Sequence, residues 1–443
     1  MTDLGALSLW VAVLMAAWGA ALSFAGGALD RDDLARSGAR GLAVSAGFTG
    51  LAAFTLWWAF VTDNFSLQPV ATFSGEAMSA PFKLSAAWAQ RSGVTLLFAL
   101  ACGACGASAL RLHREGNREL MPWTAGMLGL LLLGATVTSA AVWNPFVVLE
   151  VVPEEGRGLD PRLQLFAAAI RIPVLCAGVA SAAVALALGL PAAVRRQFPR
   201  ARRRAVGTWT SVAWCCLSGS VLVALRLAYA GTDFGSAWIW TARAAANMSG
   251  GLGTDVAIVG SVVALPAGVH LNGGWRRLRP AARAALMAGG VLFACALTAT
   301  TLRSARTVEL PDGGSVRVAD PFRRDWTFTS QGASRMERPD HFVTAVALRA
   351  ARGAARAEFI TSEFREYYAR DDRERFPPHT ITGVRGSLLE DVHVTLLSAG
   401  EGRAGVRIAF VPLAMWVWVG GVALVIGGAL ATWPVAAGGE DVT

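Results

Sequence analysis

Runs of about twenty apolar residues recur along this chain, and short arginine-bearing stretches separate them. No other feature limits the fold so strongly. In hydrocarbon every backbone polar group must be satisfied internally, so a run of that length crosses as a helix. Candidate spans fall near Leu7–Leu29, Gly41–Val61, Gly93–Arg111, Met121–Val142, Leu163–Leu190, Trp209–Ala230, Thr254–His270, Ala282–Leu302 and Phe410–Trp433. Only 16% of the residues are charged, against roughly 25% in an average soluble domain. The expected fold is an α-helical polytopic membrane protein with about nine transmembrane helices. The first run follows Met1-Thr2-Asp3. That start is acidic and no small-residue cleavage site follows, so a spanning helix is expected there and not a signal peptide.

The loops set the orientation. Arg31, Arg36 and Arg40 lie in the first, and Arg111, Arg114 and Arg118 in the third. Arg195, Arg196, Arg200, Arg202, Arg203 and Arg204 lie in the fifth, and Arg276, Arg277, Arg279 and Arg283 in the seventh. Odd loops are basic, while the even ones hold Glu76, Glu150, Glu154, Glu155 and Asp233. Basic loops stay on the cytoplasmic side, which puts the N-terminus out and the C-terminus in. The net charge of +9 comes almost wholly from arginine, Lys83 being the lone lysine. Topology accounts for this charge, so membrane lipid is an expected partner and nucleic acid is not.

One long polar segment breaks the pattern. Short alternating runs recur at Thr307–Leu310, Ser315–Ala319, Trp326–Ser330, His341–Leu348, Ala357–Thr361, Val392–Leu397 and Gly405–Ala409. Strands at this spacing predict a small all-β outer domain, a barrel or sandwich, before the last helix. The expected division is a helical domain over 1–301, a β domain over 302–408, a C-terminal helix over 409–433 and a short cytoplasmic tail over 434–443.

Chemistry is sparse. The sequence has no P-loop, no G-x-S-x-G and no H-E-x-x-H. Carboxylates are nearly absent from the spans, which argues against a proton-coupled carrier. Arg171 and Arg226 sit in apolar surroundings near the outer side; each either snorkels to the interface or marks a functional site. The histidines are His113, His270, His341, His379 and His393, and all six cysteines lie inside apolar runs. Cys102 and Cys105 form a C-x-x-C that reads as helix packing or as a redox or metal pair. Asp63–Gln90 is aromatic and broken by Pro69 and Pro81, as in a re-entrant or interfacial segment. Asp233–Leu252, reading DFGSAWIWTARAAANMSGGL, carries Trp238 and Trp240. It is too apolar for a solvated loop and too broken for a span, so it is expected at the membrane–water interface.

Four stretches together resemble the cytochrome c-type biogenesis proteins of the CcmF family, in the haem-lyase and haem-handling superfamily. In Phe65–Leu97, Lys83, Leu84, Trp88 and Gly93 match the family's K-L-S-x-x-W-x-x-x-x-G-S-L-L pattern. An NPF at Asn144–Phe146 and then EGRGLDPRLQ at Glu155–Gln164 follow, similar to E-G-x-x-L-N-P-x-L-Q. Trp209–Trp240 leads into the tryptophan stretch, and Glu366–Pro378 with Val411–Gly428 resembles the family's outer β domain and return helix. The departures are specific. Thr241-Ala242-Arg243-Ala244-Ala245 stands where the family has Asp-Pro-Val-Glu-Asn, and Arg171 stands at the family's outer histidine. Val259 and Gly260 lie near a further family histidine, and the chain is shorter than the family pattern.

The resemblance implies a bacterial inner-membrane protein with its soluble domain on the periplasmic side. It would present haem for attachment to apocytochrome c alongside other maturation subunits. Haem-lyase-type activity is implied, but the axial-ligand positions are unmatched, so the sequence assigns no catalytic residue and no metal ligand. Trp238, Trp240, Phe234 and Trp88 would offer aromatic surface, and Arg171 and Arg243 would meet haem propionates, since guanidinium pairs with carboxylate and cannot ligate iron. The alternative reading is a haem-free scaffold or docking subunit of a membrane maturation or respiratory complex that has lost the family's ligands.

Overall fold

The computed structural model describes every residue except 1, 77, 114–117, 161–163, 165, 232–250, 272–273, 339–340, 354–356, 368–377, 401 and 434–443. The helices are α1 (Thr2–Ala28), α2 (Asp32–Val61), α3 (Gln68–Phe73), α4 (Ala80–Ala86), α5 (Arg91–Leu112), α6 (Met121–Val137), α7 (Phe166–Val194), α8 (Arg200–Gly231), α9 (Gly251–Leu271), α10 (Pro280–Thr300) and α11 (Ala414–Thr432). Each expected span contains a helix, the last of them only from Ala414 onward. Among the described residues eight helices are long and apolar enough to cross a membrane, and α9 adds a shorter apolar stretch over Ile258–Leu271. The chain is a multi-pass membrane protein.

Helix α1 shows why these sequences look apolar all round. Leu9, Ala12, Ala16 and Ala20 are at most 3% exposed, whereas Trp10, Leu14 and Trp18 are at least 50% exposed. One stripe packs on protein and the other suits lipid, so both are apolar and no amphipathic signal survives. The protein-facing stripe is small, which lets backbones approach closely. The Ser45 hydroxyl of α2 accordingly donates to the carbonyl of Ala12 at 2.7 Å. The six thiols are unbridged. Cys102 packs in a core cluster with Ala16, Leu132 and Ala180.

The chain divides into two compact units. The first comprises the described residues of Met1–Ala224, Ala245–Arg283 and Val425–Thr443; the second those of Leu225–Ala244 and Ala284–Leu424. Residue 302 lies in the turn between α10 and the first strand, and the described residues of α10 from Ala284 onward group with the β strands.

Among its described residues the second unit holds nine strands: β1 (Ser304–Pro311), β2 (Ser315–Ala319), β3 (Asp325–Glu337), β4 (His341–Ala351), β5 (Glu358–Tyr367), β6 (His379–Ile381), β7 (Gly383–Arg385), β8 (Glu390–Gly400) and β9 (Arg403–Pro412). They form two antiparallel sheets, ordered β1-β9-β8-β7 and β2-β3-β4-β5-β6. Leu310, Ile408 and Val394 from one sheet share a core with Phe328, Leu348 and Ile360 from the other. This is the sandwich reading of the alternation. Two short strands, β6 and β7, carry too few residues for their period to be read. The expected break between residues 408 and 409 falls inside β9, which continues to Pro412. Phe410 and Val411 are apolar because the sandwich buries them, and hydropathy cannot separate that from membrane burial.

Candidate functional site

The stretch with the strongest family pattern folds into the first unit as a built cap. Phe65, Leu67, Val70, Ala86 and Ala87 are buried with Leu9, Phe60 and Leu96 of the helices around them and with Phe146 of the following loop. The segment is therefore part of the packed core. Asn144–Leu149 runs alongside it: Gln68 N–H donates to the Val147 carbonyl and Leu149 N–H to the Ser66 carbonyl, both at 2.9 Å. Farther on, Arg157 N–H donates to Ala71 and Gly158 N–H to Ser74. A buried ion pair fixes the cap from within. The Lys83 ammonium meets the Asp63 carboxylate, whose other oxygen accepts from the Ser74 hydroxyl at 3.3 Å. The single lysine of the chain is thus structural.

The matched residues Trp88 and Gly93 have clear physical reasons. The Trp88 indole N–H donates to the Ala169 carbonyl of α7 at 2.9 Å, and its ring meets Trp57 edge-on at 6.3 Å. A Cβ on Gly93 would fall 1.5 Å from the Ala87 carbonyl oxygen. Only glycine lets the chain turn from the cap into α5. Arg171 follows Ala169 by two residues and is 2% exposed. It does not snorkel; the bundle encloses it. Arg226 is exposed, with its guanidinium 5.8 Å from the Tyr229 ring centre.

So the structure brings Trp88 against α7 within a turn of Arg171. Phe234, Trp238, Trp240 and Arg243 lie outside the described residues. Near the position of the family's later histidine, a Cβ on Gly260 would meet Leu217 at 2.7 Å.

The second unit holds a polar cluster that the sequence did not signal. The Tyr229 hydroxyl, late in α8, donates to Asp391 Oδ2 at 2.6 Å. His393 Nε2 lies 3.0 Å from the same hydroxyl, and Trp418 packs edge-on against the phenol ring. Burial, with the Arg226 charge nearby, pushes the His393 imidazole down to about 3. Burial pushes the Asp391 carboxyl up. A histidine held neutral and 1% exposed is a structural one. His341 and His379 instead flank Tyr367, with ring centres 5.1 Å and 5.5 Å from it, and both are half-buried. His113 Nε2 accepts from the Trp209 indole at 3.2 Å. Among the described residues no group of three or more His, Cys, Asp or Glu converges as a metal site.

No protein-family model matches the chain. The cytochrome c-type biogenesis protein NrfE of Haemophilus influenzae is 29% identical over 192 residues, covering 43% of this chain and 30% of that protein. CcmF of Pseudomonas aeruginosa is 29% identical over 194 residues, 44% of this chain and 30% of that protein. The probable NrfE of Escherichia coli K12 is 30% identical over 191 residues, 43% and 34%. The matches span about a third of the length of these relatives. A solved structure of the cytochrome c haem lyase CcmF aligns over 98% of each chain with a TM-score of 0.69 at 14% identity. The chain is a CcmF-like protein.

At the cap end of this CcmF-like chain lie an indole and a guanidinium, but no histidine occurs before residue 113 or in α7. The described residues at this end are packed against the helices. They offer no imidazole donor.

Proposed function

We propose that this chain is a CcmF-like subunit of cytochrome c maturation. In this reading it handles haem at the outer face of the bacterial inner membrane, together with other maturation subunits. It presents haem for covalent attachment to apocytochrome c, where haem vinyl groups join the thiols of a Cys-x-x-Cys-His segment. The observation that carries the reading is the likeness to named cytochrome c biogenesis proteins over about 190 residues. The CcmF fold supports it. The soluble β domain then lies on the periplasmic side.

The residues divide the work by chemistry. Arg171 and Arg243 pair with propionates, for which a planar guanidinium is suited. Phe234, Trp238 and Trp240 offer aromatic faces to the macrocycle. Trp88 holds the cap on α7 and so places Arg171. His341 and His379 are the imidazoles that the outer domain can offer to iron.

Absorption spectra of the detergent-purified chain, oxidised and reduced, before and after haem addition, test this reading. A Soret band that weakens in Arg171→Ala and Trp238→Ala supports it. A chain that takes up no haem, alone or with its co-purifying membrane partners, overturns it.

A further inference from the structure

At the end of the first unit where the loops are basic, α8 carries a buried cation that pairs with no carboxylate among the described residues. Arg202 is 3% exposed. Its Nε–H donates to the Leu188 carbonyl of α7 at 2.6 Å, and Nη2 donates to the Thr124 hydroxyl of α6. Both acceptors are neutral.

The surroundings add positive potential. Thr124 lies in the first turn of α6, whose unpaired N–H groups make that end a positive pole. Arg195, exposed at the end of α7, sits 5.7 Å from the Trp123 ring centre, beside Thr124. Trp123 Nε1 is itself a buried donor with no partner in the structure. Arg203 and Arg204 are exposed on the rim. A buried guanidinium facing a helix N-terminus and more arginines is electrostatically costly unless an anion joins it.

We propose that the junction of α6, α7 and α8 around Arg202 binds a phosphate group, carried by the headgroup of an acidic membrane phospholipid. Guanidinium forks match phosphate oxygens bidentately, and basic pockets between transmembrane helices suit acidic headgroups. This site lies apart from the haem-handling cap and does not depend on that reading.

The test uses the full chain, purified and delipidated in neutral detergent. Phosphatidylglycerol, phosphatidylcholine and inorganic phosphate are added separately. Retained phospholipid is counted by mass spectrometry and the thermal midpoint is read. Phosphatidylglycerol is expected to be retained and to raise the midpoint by about 5 °C, and phosphatidylcholine to do neither. Arg202→Gln and Arg195→Gln should each cut retention about tenfold. Arg195 is exposed, so its variant remains informative if Arg202→Gln does not fold. Inorganic phosphate giving the whole shift would keep the anion site but overturn the lipid as its source. Equal retention of the two lipids, or Arg195→Gln retention like wild type, overturns the proposal.

Discussion

The Tyr229 hydroxyl donates to the Asp391 carboxylate across 162 residues of sequence. This one bond ties the end of a long helix to strand β8. Removing the hydroxyl in Tyr229→Phe leaves a buried carboxylate short of a donor, with Ser387 N–H at 3.1 Å remaining. Hydrogen bonds to charged groups contribute about 1.5–3 kcal/mol. The thermal midpoint in detergent should fall accordingly, and Asp391→Asn in the same background should recover part of it. A midpoint unchanged by Tyr229→Phe would refute the role assigned to this bond.

His393 makes stability depend on pH. Its folded value is depressed from 6.5 to about 3, so below about pH 6.5 the unfolded chain takes up a proton that the folded chain refuses. The stability is full above that pH and declines as pH falls toward 3, by at most about 5 kcal/mol. Asp391, shifted up by burial, works in the opposite sense as it protonates. Midpoints measured from pH 7.5 to 4.5 should fall less steeply in His393→Gln than in wild type. Parallel slopes would rule out this origin.

Gly93→Ala forces a methyl group into the Ala87 carbonyl. No rotamer relieves a 1.5 Å approach between backbone-fixed atoms, so the turn into α5 must move. A loss of about 3 kcal/mol is expected. Limited proteolysis between α3 and α5 should accelerate while distant sites remain protected.

Lys83→Met leaves Asp63 charged and largely buried. Breaking one partner of such a pair costs about 3 kcal/mol. The double variant with Asp63→Asn should be more stable than Lys83→Met alone. A purely additive cycle in unfolding measurements would show that the ion pair does not hold the cap.

If the isolated chain takes up haem, its iron donor is expected from His341 or His379. His393 is enclosed and His113 accepts from Trp209. Single alanine variants at 341 and 379 should shift the reduced-state absorption bands in one case or both. His393→Gln, provided it folds, should leave them in place. Bands indifferent to both 341 and 379 would point to a donor from another chain.

The helices, the strand runs and the family pattern were legible because each is written locally. Twenty apolar residues mean a span wherever they occur, and alternation means a strand. Lys83, Trp88 and Gly93 stood out in the K-L-S stretch because that pattern is local, whereas the partners of Lys83 and Trp88, Asp63 and Ala169, lie far off in sequence. The β9 boundary was misread for the same reason, since hydropathy reports apolar surroundings without saying whether lipid or a sandwich core supplies them.

The sequence by itself determined that this is a multi-pass helical membrane protein carrying a β domain, of CcmF-like pattern. Tertiary structure alone decided that Arg171 is enclosed, that Lys83 pairs with Asp63, that His393 is neutral beside Tyr229, and that Arg202 is buried against the Leu188 carbonyl and the Thr124 hydroxyl. Hydropathy and turn chemistry act between near neighbours. A side chain's charge state and partners depend on which distant segments the fold packs around it.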